Sequence, residues 1–189
     1  MCRAVVTDAR VVPGKRGLDG GPLMIARCPR CGVSFQPKLP DTDTLAGHYD
    51  YMGRVECVAG EPSSFLGRRL TRLLRRIGPY RLSGRLLDVG CGRGTVALAA
   101  RAAGWDVYAT EISPSCVAEL RPLFGERLHH GSLLDASFRS SSFDVILMIE
   151  VIEHLDDPAA YVSASLRLLR PGGCLLLTTP NLQIGRAHV

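Results

Sequence analysis

The 189-residue chain is poor in lysine and in aromatic side chains, with one tryptophan, and no long apolar run interrupts it. Of its 23 basic residues only Lys15 and Lys38 are lysines, and the net charge is +5. A skew toward arginine follows genome composition as readily as it follows a binding surface, so charge alone does not mark a nucleic-acid partner. No stretch approaches the roughly 20 apolar residues of a membrane span. The first twenty residues lack the apolar centre of a signal peptide. These absences predict a cytoplasmic protein without a transmembrane segment. The seven cysteines, an odd number scattered along the chain, do not form a disulfide framework, which agrees with a reducing compartment. What is present is a 46% apolar composition, enough to bury a core, in a length that holds one full domain and a small appendage.

Residues 1–60 are expected to form an irregular N-terminal segment, and residues 1–22, rich in glycine and without periodicity, to carry little structure. "CPRCGVSF" places Cys28 and Cys31 at the spacing of a zinc knuckle. A tetrahedral structural zinc takes four ligands, however, and no second C-x2-C pair follows. Cys2, His48 and Cys57 are further candidates at undiagnostic spacing, so the knuckle reads as incomplete. The densest basic run, "GRRLTRLLRRIG", sets Leu66, Leu70, Leu73, Leu74 and Ile77 at i, i+4, i+7, i+8 and i+11. That is one helical face, with Arg68, Arg69, Arg72, Arg75 and Arg76 left as a solvated basic face. Ser63 or Ser64 caps this helix and Gly78-Pro79 stops it.

Beyond it, strand and helix signals alternate. "RLLDVG" reads as a buried strand and Gly94–Ala103 as a helix closed by Gly104. "WDVYATE" is a second strand, and "SPSCVAEL" a helix with Ser113 as cap and Pro114 at its first position. "RLHHGSLL" contains a short third strand, and "FDVILMI", nearly all apolar, a fourth that is buried on both faces. "DPAAYVSASLRLLRPGG" is a helix capped by Asp157, and "CLLLTTP" a fifth strand. This rhythm predicts an α/β fold of right-handed βαβ units around a parallel sheet.

The turn inside "LLDVGCGRGTVALAA" carries the chemistry. Gly90, Gly92 and Gly94 let backbone approach a ligand closely, and the following helix turns unpaired N–H groups toward the same place. The dinucleotide fingerprint G-x-G-x-x-G is not met, since the third glycine comes one residue early and Thr95 stands in its place. Asp88, two residues before the first glycine, puts negative charge where a cationic ligand fits better than a pyrophosphate. The pattern D-x-G-x-G-x-G resembles motif I of the class I S-adenosylmethionine (SAM)-dependent methyltransferases.

The resemblance covers about residues 63–183 and implies a Rossmann-like, doubly wound parallel sheet with SAM as cofactor. It implies cofactor contacts at Asp88, Gly90, Gly92, Gly94, Glu111, Ile112, Ser132, Leu133 and Ile149. Glu111, 23 residues after Asp88, takes the place of the acid that accepts both ribose hydroxyls. Ser132 replaces a frequent Asp at the adenine contact, which leaves the Leu133 backbone or Asp135 to serve. "IEVIEHLDDP" resembles the segment after the fourth strand in ubiquinone-type O-methyltransferases and small-RNA 2′-O-methyltransferases. One helical turn there would gather Glu150, Glu153 and His154 as ligands for Mg²⁺ or Mn²⁺; His154 is alternatively a general base or an acceptor-positioning group.

A complete member of such a family continues for another helix and two strands, so the sheet is expected to be truncated after its fifth strand, which then forms an exposed edge. Residues 184–189 resemble a translated sequencing adapter. The implied partner is a small-molecule methyl acceptor, a lipid precursor or a sugar-linked metabolite, methylated at O or N and less readily at C. Two other readings stand beside it: an RNA 2′-O-methyltransferase using the E-x-x-E-H metal set, and a non-catalytic zinc-knuckle and SAM-binding module.

Overall fold

The structure, a computed structural model, describes residues 9–17, 19–37, 44, 47–48, 51 and 64–180. The chain divides into two compact units, Met1–Tyr51 and Met52–Val189.

The first unit contains an antiparallel sheet of β1 (Ala9–Arg16), β2 (Pro22–Arg27) and β3 (Ser34–Phe35), in that order. The strands at Ala9–Arg16 and Pro22–Arg27 correct the expectation of an irregular segment there. The cause is pairing that no local period reveals: Ala9 faces Ala26, Arg10 faces Ile25 and Val11 faces Met24, before the register shifts ahead of the Arg16–Pro22 pair. Between the strands, Asp19 Oδ1 accepts the Gly21 N–H at 3.0 Å and Gly20 adopts φ 77°. The Asp-Gly pair was the readable hairpin signal.

In the second unit, α1 (Ser64–Ile77) leads through a 3-10 turn at Gly78–Tyr80 into β4 (Arg85–Val89). Then follow α2 (Thr95–Ala102), β5 (Asp106–Glu111), α3 (Pro114–Phe124), β6 (Leu128–His130), β7 (Phe143–Ile149), α4 (Pro158–Leu168) and β8 (Leu169–Thr178). The five strands pair in parallel in the order β6-β5-β4-β7-β8. Chain order therefore reverses between β4 and β7, the switch point at which α/β sheets bind ligands.

Strand alternation sorts the core into two layers. Leu86, Val107, Ala109, Val145 and Leu147 pack against Ile77 of α1, Ala97 and Ala100 of α2, and Val117, Leu120 and Phe124 of α3. Leu87, Val89, Ile146 and Met148 point the other way, to Leu168 of α4. Each fully buried aliphatic side chain contributes roughly 1.5–3 kcal/mol. On α1, Ile77 is buried and Leu70, Leu73 and Leu74 are partly so, while Arg68, Arg69, Arg72, Arg75 and Arg76 are exposed, as the helical period predicts. Ser63, and the side chains of Ser64 and Leu66, lie outside the described residues.

The caps at Ser113 and Asp157 form as expected, accepting from Cys116 and Ala160 N–H respectively. Helix α4 ends earlier than its sequence suggested. Leu169 is already extended and pairs with Phe143; the register then slips, and Val145 pairs with Cys174. Arg170 precedes Pro171 and is thereby biased out of helical geometry, while the half-chain of Pro171, Gly172 and Gly173 forms the irregularity.

Candidate functional site

The glycine turn sits where β4 ends at the switch point. Its residues are held from β5: the Thr110 hydroxyl accepts the Gly90 N–H at 3.3 Å, and the Thr110 carbonyl accepts that of Cys91 at 3.0 Å. Gly90, Gly92 and Gly94 all have left-handed backbone, at φ 64°, 53° and 75°. A Cβ on Gly90 would lie 2.9 Å from Val151 Cγ2, and one on Gly94 would lie 2.8 Å from Leu120 Cδ2. Over Gly92 nothing comes within 4 Å, so this is the open face of the turn. The turn's own cation, Arg93, is paired with Glu119 at 2.6 Å.

Two acids flank the turn. Asp88 is only 3% exposed; one carboxylate oxygen, Oδ2, is buried with no partner, and the group takes a backbone hydrogen bond from Ala97 in the first turn of α2. That bond serves a helix whose N-cap, Gly94, has no side chain to offer. Burial, reinforced by the nearby Glu111 charge, pushes the Asp88 carboxyl up to about 7. Glu111, 6% exposed, accepts the Gly92 N–H through Oε2 and the Ser113 N–H through Oε1.

The remaining expected contacts divide. Ile112 is exposed just beyond β5, and Ile149 is partly buried at the end of β7, packed on the core. Leu133 is buried in the core layer facing α4, so only its backbone is available to a ligand. The Ser132 hydroxyl is engaged by the Leu134 N–H at 2.9 Å and by Tyr161 OH at 3.0 Å, which anchors α4. Asp135 is exposed, its N–H on the Ser132 carbonyl.

The segment after β7 departs from expectation. Glu150 takes left-handed backbone at φ 56°, its N–H reaches the Thr178 carbonyl at 3.1 Å, and its carboxylate accepts from Thr178 Oγ1 at 2.8 Å. Only a 3-10 turn follows, over Ile152–His154. A left-handed residue cannot start a right-handed helix, so Glu150, Glu153 and His154 are not brought to one face. Among the described residues, no three His, Cys, Asp or Glu side chains form a metal-binding group, so the Mg²⁺ or Mn²⁺ set is not shown. The same search adds no third described ligand to Cys28 and Cys31. Sequence reading missed Thr110, Val151 and Thr178. Thr110 adjoins a strand-end acid and was findable; the other two are contacts between distant segments.

Two surface depressions elsewhere, of about 500 Å³ along Arg68, Arg72 and Arg75 and about 190 Å³ beside Trp105, include no residue of the glycine turn.

A doubly wound parallel sheet with an open glycine turn between two strand-end acids defines an α/β domain for a donor-rich, cationic nucleoside ligand. The chain belongs to the methyltransferase domain family, which it matches over residues 63–188; SAM is the cofactor of this family. It is 36% identical over 145 residues to a "Probable S-adenosylmethionine-dependent methyltransferase" of Mycolicibacterium smegmatis, covering 76% of this chain and 54% of that protein. It is also 36% identical over 103 residues to the ubiquinone biosynthesis O-methyltransferase of Aromatoleum aromaticum, covering 51% of this chain and 44% of the relative. Among solved structures it is similar to SAM-bound CalS10, an amino pentose methyltransferase from Micromonospora echinaspora, with 27% identity, a TM-score of 0.54, and 78% and 60% of the two chains covered. A phosphoethanolamine N-methyltransferase of Haemonchus contortus gives 25% identity and a TM-score of 0.60, over 76% of this chain and 36% of that one. The chain spans about half the length of the curated relatives it matches.

Proposed function

We propose that this chain transfers a methyl group from SAM to an oxygen or nitrogen atom of a small-molecule, lipid-precursor or sugar-linked acceptor. The observation that carries the reading is the buried, partnerless Asp88 oxygen beneath an open glycine turn, with Glu111 on the neighbouring strand. An unsatisfied buried acceptor costs stability unless a ligand donor meets it. SAM brings such donors and a positive charge, whereas a pyrophosphate would add negative charge beside two carboxylates.

When bound, SAM supplies an electrophilic methyl carbon on a sulfonium. Asp88 and the turn would hold the amino-acid end, and Glu111 would exchange its backbone partners for ribose hydroxyls. The backbone at Leu133 and the exposed Ile112 would border the base, and Ile149 the methionine chain. What the protein adds to reactivity is chiefly alignment of the acceptor atom. His154, exposed on the turn after β7, is the group we assign to receive the acceptor proton or to position its hydroxyl.

The acceptor class draws on the O-methyltransferase and amino-sugar methyltransferase relatives. An RNA 2′-O-methyltransferase reading draws on the exposed arginines of α1 and on the E-x-x-E-H segment, whose side chains form no metal-binding group among the described residues. The test is S-adenosylhomocysteine formation over a panel of phenols, aminosugar nucleotides, phosphoamines and RNA, each with and without EDTA. Turnover with a small acceptor that is indifferent to EDTA is expected; EDTA-sensitive methylation of RNA alone would refute the proposal.

A further inference from the structure

We propose that the arginine face of α1 docks this chain on the headgroups of an anionic lipid bilayer. The helix carries five arginines and no acid over Ser64–Ile77. At about 100° per residue, Arg68, Arg69, Arg72, Arg75 and Arg76 fall within roughly 120° of its circumference, across from the docked side of Leu73, Leu74 and Ile77. Arg75 and Arg76 lie in the last turn, where the helix dipole favours a cation. Arg68 and Arg72 have no such reason. The pairs Arg68–Arg72, Arg72–Arg75 and Arg72–Arg76 set like charges at neighbouring helical positions, which weakens the helix. Among the described residues, none of Arg68, Arg72, Arg75 and Arg76 has an acidic partner, whereas Arg85, Arg93, Arg127 and Arg170 each pair with an acid. The face therefore holds a self-repulsion that an anionic surface relieves.

The side chains around the arginines select among anions. Single-stranded RNA is held by aromatic stacking platforms as well as by charge. Between Arg68 and Arg76 the one other exposed residue is Thr71, whose hydroxyl donates to the Gly67 carbonyl at 2.9 Å. Tyr80 is the one exposed aromatic among the described residues of the second unit. A bilayer surface asks instead for cations with apolar groups at headgroup level. Tyr80 and Leu82, in the connection from α1 to β4, are 40% and 68% exposed and supply them. Leu82 is fixed there by its N–H, which donates to the buried Asp144 carboxylate at 3.0 Å. The apolar side of α1 is itself occupied by the core, so the helix lies on the headgroups and does not enter the acyl layer. Among the described residues no helix is long and apolar enough to cross the bilayer. Attachment by charge with two small apolar contacts is peripheral and reversible.

This inference is independent of the methyl-transfer reading. The test is co-sedimentation of the full chain with vesicles of phosphatidylcholine alone, or of phosphatidylcholine with about one-third phosphatidylglycerol. Binding to the mixed vesicles at low salt is expected to be at least tenfold tighter than to phosphatidylcholine, and to fall at least tenfold at about 0.5 M NaCl. Those two dependences need no variant. The double variants Arg68→Glu/Arg72→Glu and Arg72→Glu/Arg75→Glu should each weaken binding at least tenfold, since one arginine near an anionic surface is worth roughly fivefold. Arg167→Glu, on α4 across the sheet, should leave it within twofold. Emission from the single tryptophan, Trp105, buried in the second unit, reports that each variant is folded. No binding, equal binding to both vesicles, binding untouched by the charge reversals, or preference for single-stranded oligouridylate over the mixed vesicles in direct competition would overturn the proposal.

Discussion

Glu111 joins the glycine turn to the start of α3: its two carboxylate oxygens accept the N–H groups of Gly92 and Ser113, each at 2.7 Å. Replacing Glu111 by Ala therefore removes a ligand acceptor and unties two backbone donors. SAM affinity is expected to fall by about 1–3 kcal/mol, or roughly 5- to 150-fold. Amide exchange at Gly92 and Ser113 should quicken in the free protein. Calorimetry in which the variant binds like the parent would take Glu111 out of the site.

Asp88 makes stability depend on pH. Its folded pKa, about 7 through burial, lies above the ordinary carboxylate value of 3.8. Between about pH 4 and 7 the native state keeps a proton that the unfolded chain has lost, so unfolding free energy declines as pH rises through this window and levels off above it. The ceiling is about 4 kcal/mol. Asp88→Asn, which cannot ionise, should be more stable than the parent at pH 8 and converge on it near pH 4 in denaturant titrations. A cationic ligand favours the ionised acid, so SAM affinity should rise from pH 5 to 7 in the parent and lose that rise in Asp88→Asn. Parallel pH profiles for the two proteins would contradict the assignment.

Gly90 and Val151 form a packing pair across the site. Gly90→Ala imposes a left-handed alanine and a Cβ at 2.9 Å from Val151 Cγ2. A loss of about 1–3 kcal/mol is expected. Val151→Ala should relieve the contact but not the backbone strain, so the double variant should recover only part of the loss. Strict additivity in the double-mutant cycle would show that the two residues do not meet.

Asp144, fully buried on β7, gathers the strand entry. It accepts the N–H groups of Leu82, Ser83 and Gly84 and faces Arg170 at 3.3 Å. Burial pushes its carboxyl up, but the bonds from Ser83 and Gly84 and the Arg170 charge outweigh that and hold it below the usual carboxylate range. Its contribution is complete above the unfolded pKa and is lost as pH falls through the folded one. Asp144→Ala should cost about 3–5 kcal/mol at pH 7, because a partly buried arginine and three N–H groups lose their acceptor. A loss of unfolding free energy below about 1 kcal/mol in denaturant titrations would rule out this role.

His154→Ala is expected to slow methyl transfer at least tenfold while leaving SAM affinity within twofold. A large loss of affinity instead would assign His154 to folding of the turn.

The second unit was largely legible because its signals are local. Alternation in "RLLDV", the unbroken apolar run Phe143–Ile149 and the caps at Ser113 and Asp157 each act within a few residues. The hairpin of β1 and β2 was legible only in its Asp19-Gly20 turn, since its strands are stabilised by pairs such as Ala9 with Ala26. Helix α4 was overextended because Leu169 obeys the helical period, yet it gains more by joining Phe143 in the sheet.

By itself the sequence determined the parallel α/β plan, the glycine turn and the placing of Asp88 and Glu111 at successive strand ends, since period, turn chemistry and strand length are properties of short segments. Tertiary structure alone decided that Glu150 bends into left-handed backbone and binds Thr178, that Val151 closes on Gly90, and that Ser132 is engaged by Tyr161. Each of these depends on which strands become neighbours. That choice follows from burying two apolar faces at once, which no single segment encodes.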